Sequence, residues 1–217
     1  MTPAKRKWNP GWLILIVLFG GATGFAVGPY VLLDPGLSRV DLDPSFPLHF
    51  PLLLVHIFAS FLALAVGWLQ FLPALRRRRP GLHRLIGRIY LICVAIGGAT
   101  GLVVGAFTES FIRQLAFLTL AALWLFTGWR GYVAIRRRQY GAHGLWMLRS
   151  YAVTLVAATA RLITPLCILI FVAGHGGLPP GGVQAVVSLV LEVNIWLGLI
   201  VNLLLAEWVF AQRLRGD

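Results

Sequence analysis

Polar positions along the chain do not recur every third or fourth residue, as they would on a surface helix; they cluster between long apolar blocks. Six blocks stand out, at about 12–33, 52–75, 85–107, 112–135, 145–173 and 184–208. Each is long enough for a helix crossing a hydrocarbon core about 30 Å thick, which takes ~20 residues. The pattern predicts an all-α integral membrane bundle of six transmembrane helices over residues 12–208. A basic segment at 1–11 precedes it and a short tail at 209–217 follows. The first block follows Lys5, Arg6 and Lys7 as a secretory leader would. Its apolar run of about 22 residues is longer than a leader core of about 7–15, and no persuasive cleavage site follows, so it is expected to remain as an anchor.

The breaks between blocks carry turn residues. Pro35, Pro44, Pro47 and Pro51 punctuate the longest connection, and Gly176, Gly177, Pro179, Pro180, Gly181 and Gly182 separate the last two blocks. These connections leave no room for a second globular domain. Within the blocks, Gly-Gly-Ala-Thr-Gly occurs at Gly20–Gly24 and again at Gly97–Gly101, with Gly105 continuing the spacing of four. Small residues so spaced let helix backbones approach closely, and their place inside apolar spans excludes a nucleotide-binding loop.

Composition sharpens this picture and charge orients it. Of 217 residues, 59% are apolar and only 12% charged, against about 25% charged in soluble domains. The net charge of +12 is a topology signal. Sixteen of the nineteen Lys and Arg precede the first block, surround the second-to-third and fourth-to-fifth connections (Arg76–Arg79, Arg84, Arg88; Arg130, Arg136–Arg138, Arg149), or follow the sixth (Arg213, Arg215). Basic residues stay cytoplasmic in short loops, which predicts N-in, C-in topology in a bacterial cytoplasmic membrane. The lipid bilayer is then the expected partner, with anionic lipid attracted to the basic loops and nucleic acid excluded. A membrane protein partner or a homo-oligomer is compatible with the glycine-rich spans. Cys93 and Cys167 lie in apolar blocks without metal-ligand spacing and read as buried hydrophobes.

The informative residues are polar ones where lipid should be. By depth, Arg161, Glu192 and Asn194 fall in the outer half, with Arg161–Glu192 the expected ion pair; His56 lies near the outer end of the second block. The inner half holds Gln70, His83, Arg84, Arg88, Tyr90, His143, Trp146, Arg149, Tyr151, Asn202 and Glu207. His83, Gly87 and Tyr90 share one helical face, and Arg149 and Glu207 are opposite charges at comparable depth.

The segments His83-Arg84-Leu85-Ile86-Gly87-Arg88-Ile89-Tyr90, Trp146-Met147-Leu148-Arg149-Ser150-Tyr151, Arg161-Leu162 with Pro165, and Asn202-Leu203-Leu204-Leu205-Ala206-Glu207 together resemble a bacterial multi-pass membrane family catalogued as domain of unknown function 2306. His56 and Gln70-Phe71 fit the same pattern, and the resemblance covers about residues 52–208. The sequence departs from it at Trp68-Leu69, where Gly-Pro is expected, and at Gly144, where Arg is usual. The family brings no activity with it.

Three functions compete, with redox or haem binding the leading one. In the first, His83 and His143 face each other as axial ligands of a b-type haem iron, or flank a quinone, for electron transfer. Arg84, Arg88 and Arg149 would hold propionates, Trp146 and Tyr151 would wall the ring, and His56 would be a further ligand candidate; this arrangement distantly resembles cytochrome b561 bundles. In the second, the polar residues line a path for a small molecule, proton or lipid, with Pro165 breaking the long fifth helix. In the third, the chain is a non-catalytic assembly or accessory subunit. No Gly-X-Ser-X-Gly or His-Glu-X-X-His motif supports a hydrolase.

Overall fold

A computed structural model describes residues 10–216, and all of its regular structure is helical. The basic triad at 5–7 lies outside the described residues. The helices are α1 (Pro10–Val27), α2 (His49–Gly67), α3 (Pro73–Arg78), α4 (Pro80–Ala106), α5 (Phe111–Arg136), α6 (Tyr140–Gly174) and α7 (Gly182–Gly216), with 3-10 turns at Gly28–Leu32, Pro35–Leu37 and Trp68–Phe71.

Five segments are long and apolar enough to cross a membrane: His49–Phe71 and helices α4, α5, α6 and α7. The remaining expected span, the first, corresponds to α1, which at 18 residues is the shortest of the apolar helices and ends in a 3-10 turn. The second expected span, drawn to residue 75, is in fact broken: Leu72 is extended, and the arginines occupy the separate helix α3. Pro73 and Pro80 explain the break, because each fixes the start of a new helix and disfavours helical geometry in the residue before it.

Consecutive helices pack on one another from α4 to α7; α2 lies against α4, α5 also meets α7, and α6 receives both α1 and α2. The core runs through Ala63, Tyr90, Val94, Trp124, Met147, Val156 and Leu199. Leucine, isoleucine and phenylalanine side chains cover the outside, including Leu169, Leu204 and Phe126, as a bilayer solvent requires.

Glycine sets the close contacts. A Cβ on Gly97 would come within 2.8 Å of the Trp124 ring, one on Gly101 within 2.9 Å of His56, and one on Gly131 within 2.8 Å of Met147 Sδ. The second copy of the glycine repeat is therefore a helix-packing surface, as its spacing predicts. The first copy differs, for Gly20, Gly21 and Gly24 face open space.

Candidate functional site

The middle of the bundle is a closed hydrogen-bond network. Tyr90 of α4 is fully buried, and its hydroxyl lies 2.9 Å from both Ser150 Oγ and Thr154 Oγ1 of α6. Trp124 of α5 donates its indole N–H to Thr154 Oγ1 at 2.9 Å, and Thr154 donates to the Ser150 carbonyl. Since Thr154 has one proton and gives it to that carbonyl, Tyr90 donates to Thr154 and Ser150 donates to Tyr90. Every donor in the network is used. Tyr151, beside Tyr90, donates to the Leu64 carbonyl of α2 at 3.2 Å, and Gly67 leaves room for both rings. Both tyrosines thus tie helices together.

A second set of bonds joins α6 to α7. Asn202 donates to the Ala152 carbonyl and accepts from Thr159, each at 3.0 Å; Asn194 donates to Thr164 Oγ1 at 3.1 Å. Midway, Gly198 sits against the backbone of Val156 and Ala160. Asn194, Gly198 and Asn202 stand four residues apart and form one stripe.

The expected Arg161–Glu192 pair is not formed. Glu192 accepts from Ser110, the N-cap of α5, and its Oε1 lies 3.1 Å from Arg113 Nε. That is an ion pair by distance, without an N–H aimed at the oxygen. A carboxylate beside a helix N-terminus is also favoured by the helix dipole. Arg161 is exposed and donates to the Ala157 carbonyl of its own helix at 2.7 Å. The reasons are register and azimuth: Thr164 meets Asn194 and Ala160 meets Gly198, so Arg161 stands level with about residue 197, roughly 7 Å along the helix from Glu192, and it lies one step of about 100° off the α7-facing side.

Toward the other end, Gln70 donates to the His83 carbonyl at 3.2 Å and lies over Gly87, so the His83–Gly87 face meets the 3-10 turn after α2. Arg149 and Glu207 pair in two-pronged fashion, at 2.5 and 3.1 Å. Arg149 and Arg130 both lie 4.8 Å from the Trp146 ring centre. His56 is bonded through Nδ1 to the Gly97 carbonyl at 2.8 Å, which makes it a strut between α2 and α4, well away from the other two histidines.

His83 and His143 occupy the same end, close enough for their charges to interact. Their geometry does not show the expected haem site. His143 Nδ1 bonds the Gly131 carbonyl of α5 at 2.9 Å, which turns that ring toward its neighbouring helix. His83 Nδ1 is buried without a hydrogen-bond partner. Cavities of about 270 Å³ and 150 Å³ lie at the α5–α6 turn and between α6 and α7, and neither is lined by either histidine. Arg84 and Arg88, the expected propionate partners, are exposed. Among the described residues, no three His, Cys, Asp or Glu converge as metal ligands.

Residues 53–210, from α2 through α7, match a family described as predicted membrane protein (DUF2306). The chain belongs to this DUF2306 family. No curated protein and no solved structure matches it, so the resemblance to cytochrome b561 bundles has no counterpart there. Within the DUF2306 region lie all the interhelical polar contacts described above, whereas α1 stands outside it.

Sequence reasoning missed the partners more than the principals. Ser110, Arg113, Trp124, Thr154, Thr159 and Thr164 complete the DUF2306 networks without having been singled out. Threonines inside apolar blocks are the signal that could have found them, since a span's hydroxyls bond back to their own helix or across to the next.

Proposed function

We propose that this DUF2306 protein crosses the bacterial cytoplasmic membrane six times, with α1 as the sixth span and both termini inside, and that it acts as a non-catalytic accessory or assembly subunit. The observation that carries this reading is Arg161. It lies within a membrane-crossing helix, partly exposed at the surface near Tyr30 and Arg39, and bonded only to its own helix among the described residues. A guanidinium left in hydrocarbon costs at least about 2.5 kcal/mol, so a polar group on a neighbouring membrane protein is its natural complement. Pro165 adds to that surface: lacking an N–H, it frees the Arg161 carbonyl as an acceptor. The open glycines Gly20, Gly21 and Gly24 lie on α1, which packs on the same helix α6.

Photocrosslinking from Leu169 or Ile170, exposed on α6, tests this in native membranes. A discrete protein adduct that weakens in Arg161→Ala is the expected result. Adducts to lipid alone overturn the reading.

The redox reading rests on the unpartnered His83 Nδ1, which in its N–H tautomer would donate to a quinone carbonyl. Absorption spectra of the oxidised and dithionite-reduced protein separate the two. A Soret band with a reduced α-band favours haem; the accessory reading expects neither. A transport path is disfavoured because the interior hydroxyls and amides are bonded to one another.

A further inference from the structure

The cavity of about 270 Å³ at the α5–α6 turn is lined by Arg130, Arg137, Gln139, Ala142 and two tryptophans, Trp129 and Trp146. Its ionised groups all carry one sign. Among the described residues the ion pairs are Arg113–Glu192 and Arg149–Glu207, so no carboxylate neutralises Arg130 or Arg137. Arg130 is held in place from below, over Trp146 at 4.8 Å and Phe126 at 5.8 Å from the ring centres. Trp146 and Phe126 themselves meet edge-on at 5.5 Å. The guanidinium is therefore positioned before any ligand arrives.

The turn adds donors of its own. Helix α6 starts at Tyr140 with no side-chain cap, which leaves the N–H groups of its first turn without intrahelical acceptors and the positive end of the dipole at the cavity. Helix α5 ends by the Gln139 N–H bonding the Ala134 carbonyl and the Arg138 N–H bonding the Ile135 carbonyl. This is a glycine-type helix stop, yet Arg138 occupies the left-handed position, at φ 58°. The chain keeps a third arginine where glycine is the relaxed choice.

Depth identifies the ligand. Arg130 lies six residues, about 9 Å, inside the end of α5, and Trp129 is 58% exposed on the outer surface. Tryptophans and inward-reaching arginines at that level meet the phospholipid headgroup layer. We propose that this cavity binds the phosphate of an anionic phospholipid, with Arg130 and Arg137 as charge-assisted donors and the two tryptophans against the glycerol and upper chains. The assignment holds whichever function the bundle serves.

Native mass spectrometry of the full chain in detergent, titrated with phosphatidylglycerol or phosphatidylcholine, tests it. The expected result is a phosphatidylglycerol adduct formed in preference to phosphatidylcholine. Arg130→Gln with Arg137→Gln should weaken it about a hundredfold, since each of the two lost charge-assisted bonds is worth about tenfold or more. Arg77→Gln with Arg78→Gln, which removes the same charge from helix α3, should leave it unchanged. Arg130→Lys with Arg137→Lys should retain most of the preference, which separates loss of the site from loss of the fold. Equal weakening by the α3 pair, or equal binding of the two lipids, overturns the proposal. Displacement of phosphatidylglycerol by millimolar inorganic phosphate, but not by chloride of matched ionic strength, would overturn the lipid as occupant in favour of free phosphate.

Discussion

Tyr90 shows what a single buried hydroxyl does in this protein. It receives a proton from Ser150 and gives one to Thr154, and so closes a circuit that also holds Trp124. Tyr90→Phe should lower stability by about 1–2 kcal/mol, because Ser150 loses its acceptor in a place water does not reach; thermal unfolding in detergent measures it. Outside the membrane, Asp43 accepts from both the N–H and the hydroxyl of Ser45, at 2.8 and 2.6 Å, and these bonds hold its carboxyl below its ordinary pKa of 3.8. A pKa lowered by folding stabilises the turn above the ordinary value, and the effect is lost as pH falls through the lowered one. Amide exchange at Ser45 should therefore stay protected through the mildly acidic range and speed up only below the usual carboxylate range. Protection already lost near neutral pH would contradict this.

At the scale of elements, α6 and α7 are joined by a stripe in which amides flank a glycine. Asn194→Leu, which breaks one interhelical bond, should cost about 0.6 kcal/mol, the usual worth of such a bond in a membrane, and Asn202→Leu, which breaks two, about twice that. Gly198→Val should cost more than either, because the added atoms meet backbone at 3.1 Å rather than a side chain that can turn away. Unfolding in graded detergent mixtures ranks the three. Ser110→Ala should cost about 1 kcal/mol by uncapping α5 and stripping Glu192 of a donor. Much of this scale was legible in the sequence. Apolar block length placed most helix ends to within about five residues, except that α1 stops six residues short of its block, α7 runs eight past its own, and Pro73 and Pro80 cut α3 away. The spacing of Gly97 and Gly101 announced a close contact, and depth alone paired Arg149 with Glu207. Depth also suggested Arg161 with Glu192, and there it failed. Hydropathy gives a residue's height in the membrane, but not the direction in which its helix is turned. Two charges meet only if register and azimuth both agree; Arg161 lies about five residues from Glu192 in the register that Thr164–Asn194 sets, and a hundred-degree step off the α7-facing side. The same gap explains His83 and His143, which share an end of the bundle but whose rings are engaged or buried separately.

For the whole molecule, the proposed topology makes a definite forecast. A reporter fused after Arg215 should be active only in its cytoplasmic form, as should one inserted at Arg77, while one inserted at Gly177 should report the opposite side. An active periplasmic reporter after Arg215 would leave an odd number of crossings or invert the orientation. The polar networks predict how the bundle comes apart: α4, α5 and α6 share the Tyr90 circuit and should unfold together, whereas α1, which lies outside the DUF2306 match and makes fewer bonds, should separate first.

Helices α6 and α7 each run 35 residues, about 52 Å of rod at 1.5 Å per residue. Transmembrane helices tilt by up to about 40°, at which such a rod still reaches ~40 Å along the bilayer normal, past a core of about 30 Å. Tilting therefore cannot hide the pair, and its ends stand clear of the hydrocarbon. Because Asn194, Gly198 and Asn202 fasten the two helices over about 12 Å near their middles, the pair leans together. In a thicker membrane the pair would stand more upright and in a thinner one it would recline, so the angle between this pair and the shorter helices becomes a gauge of bilayer thickness.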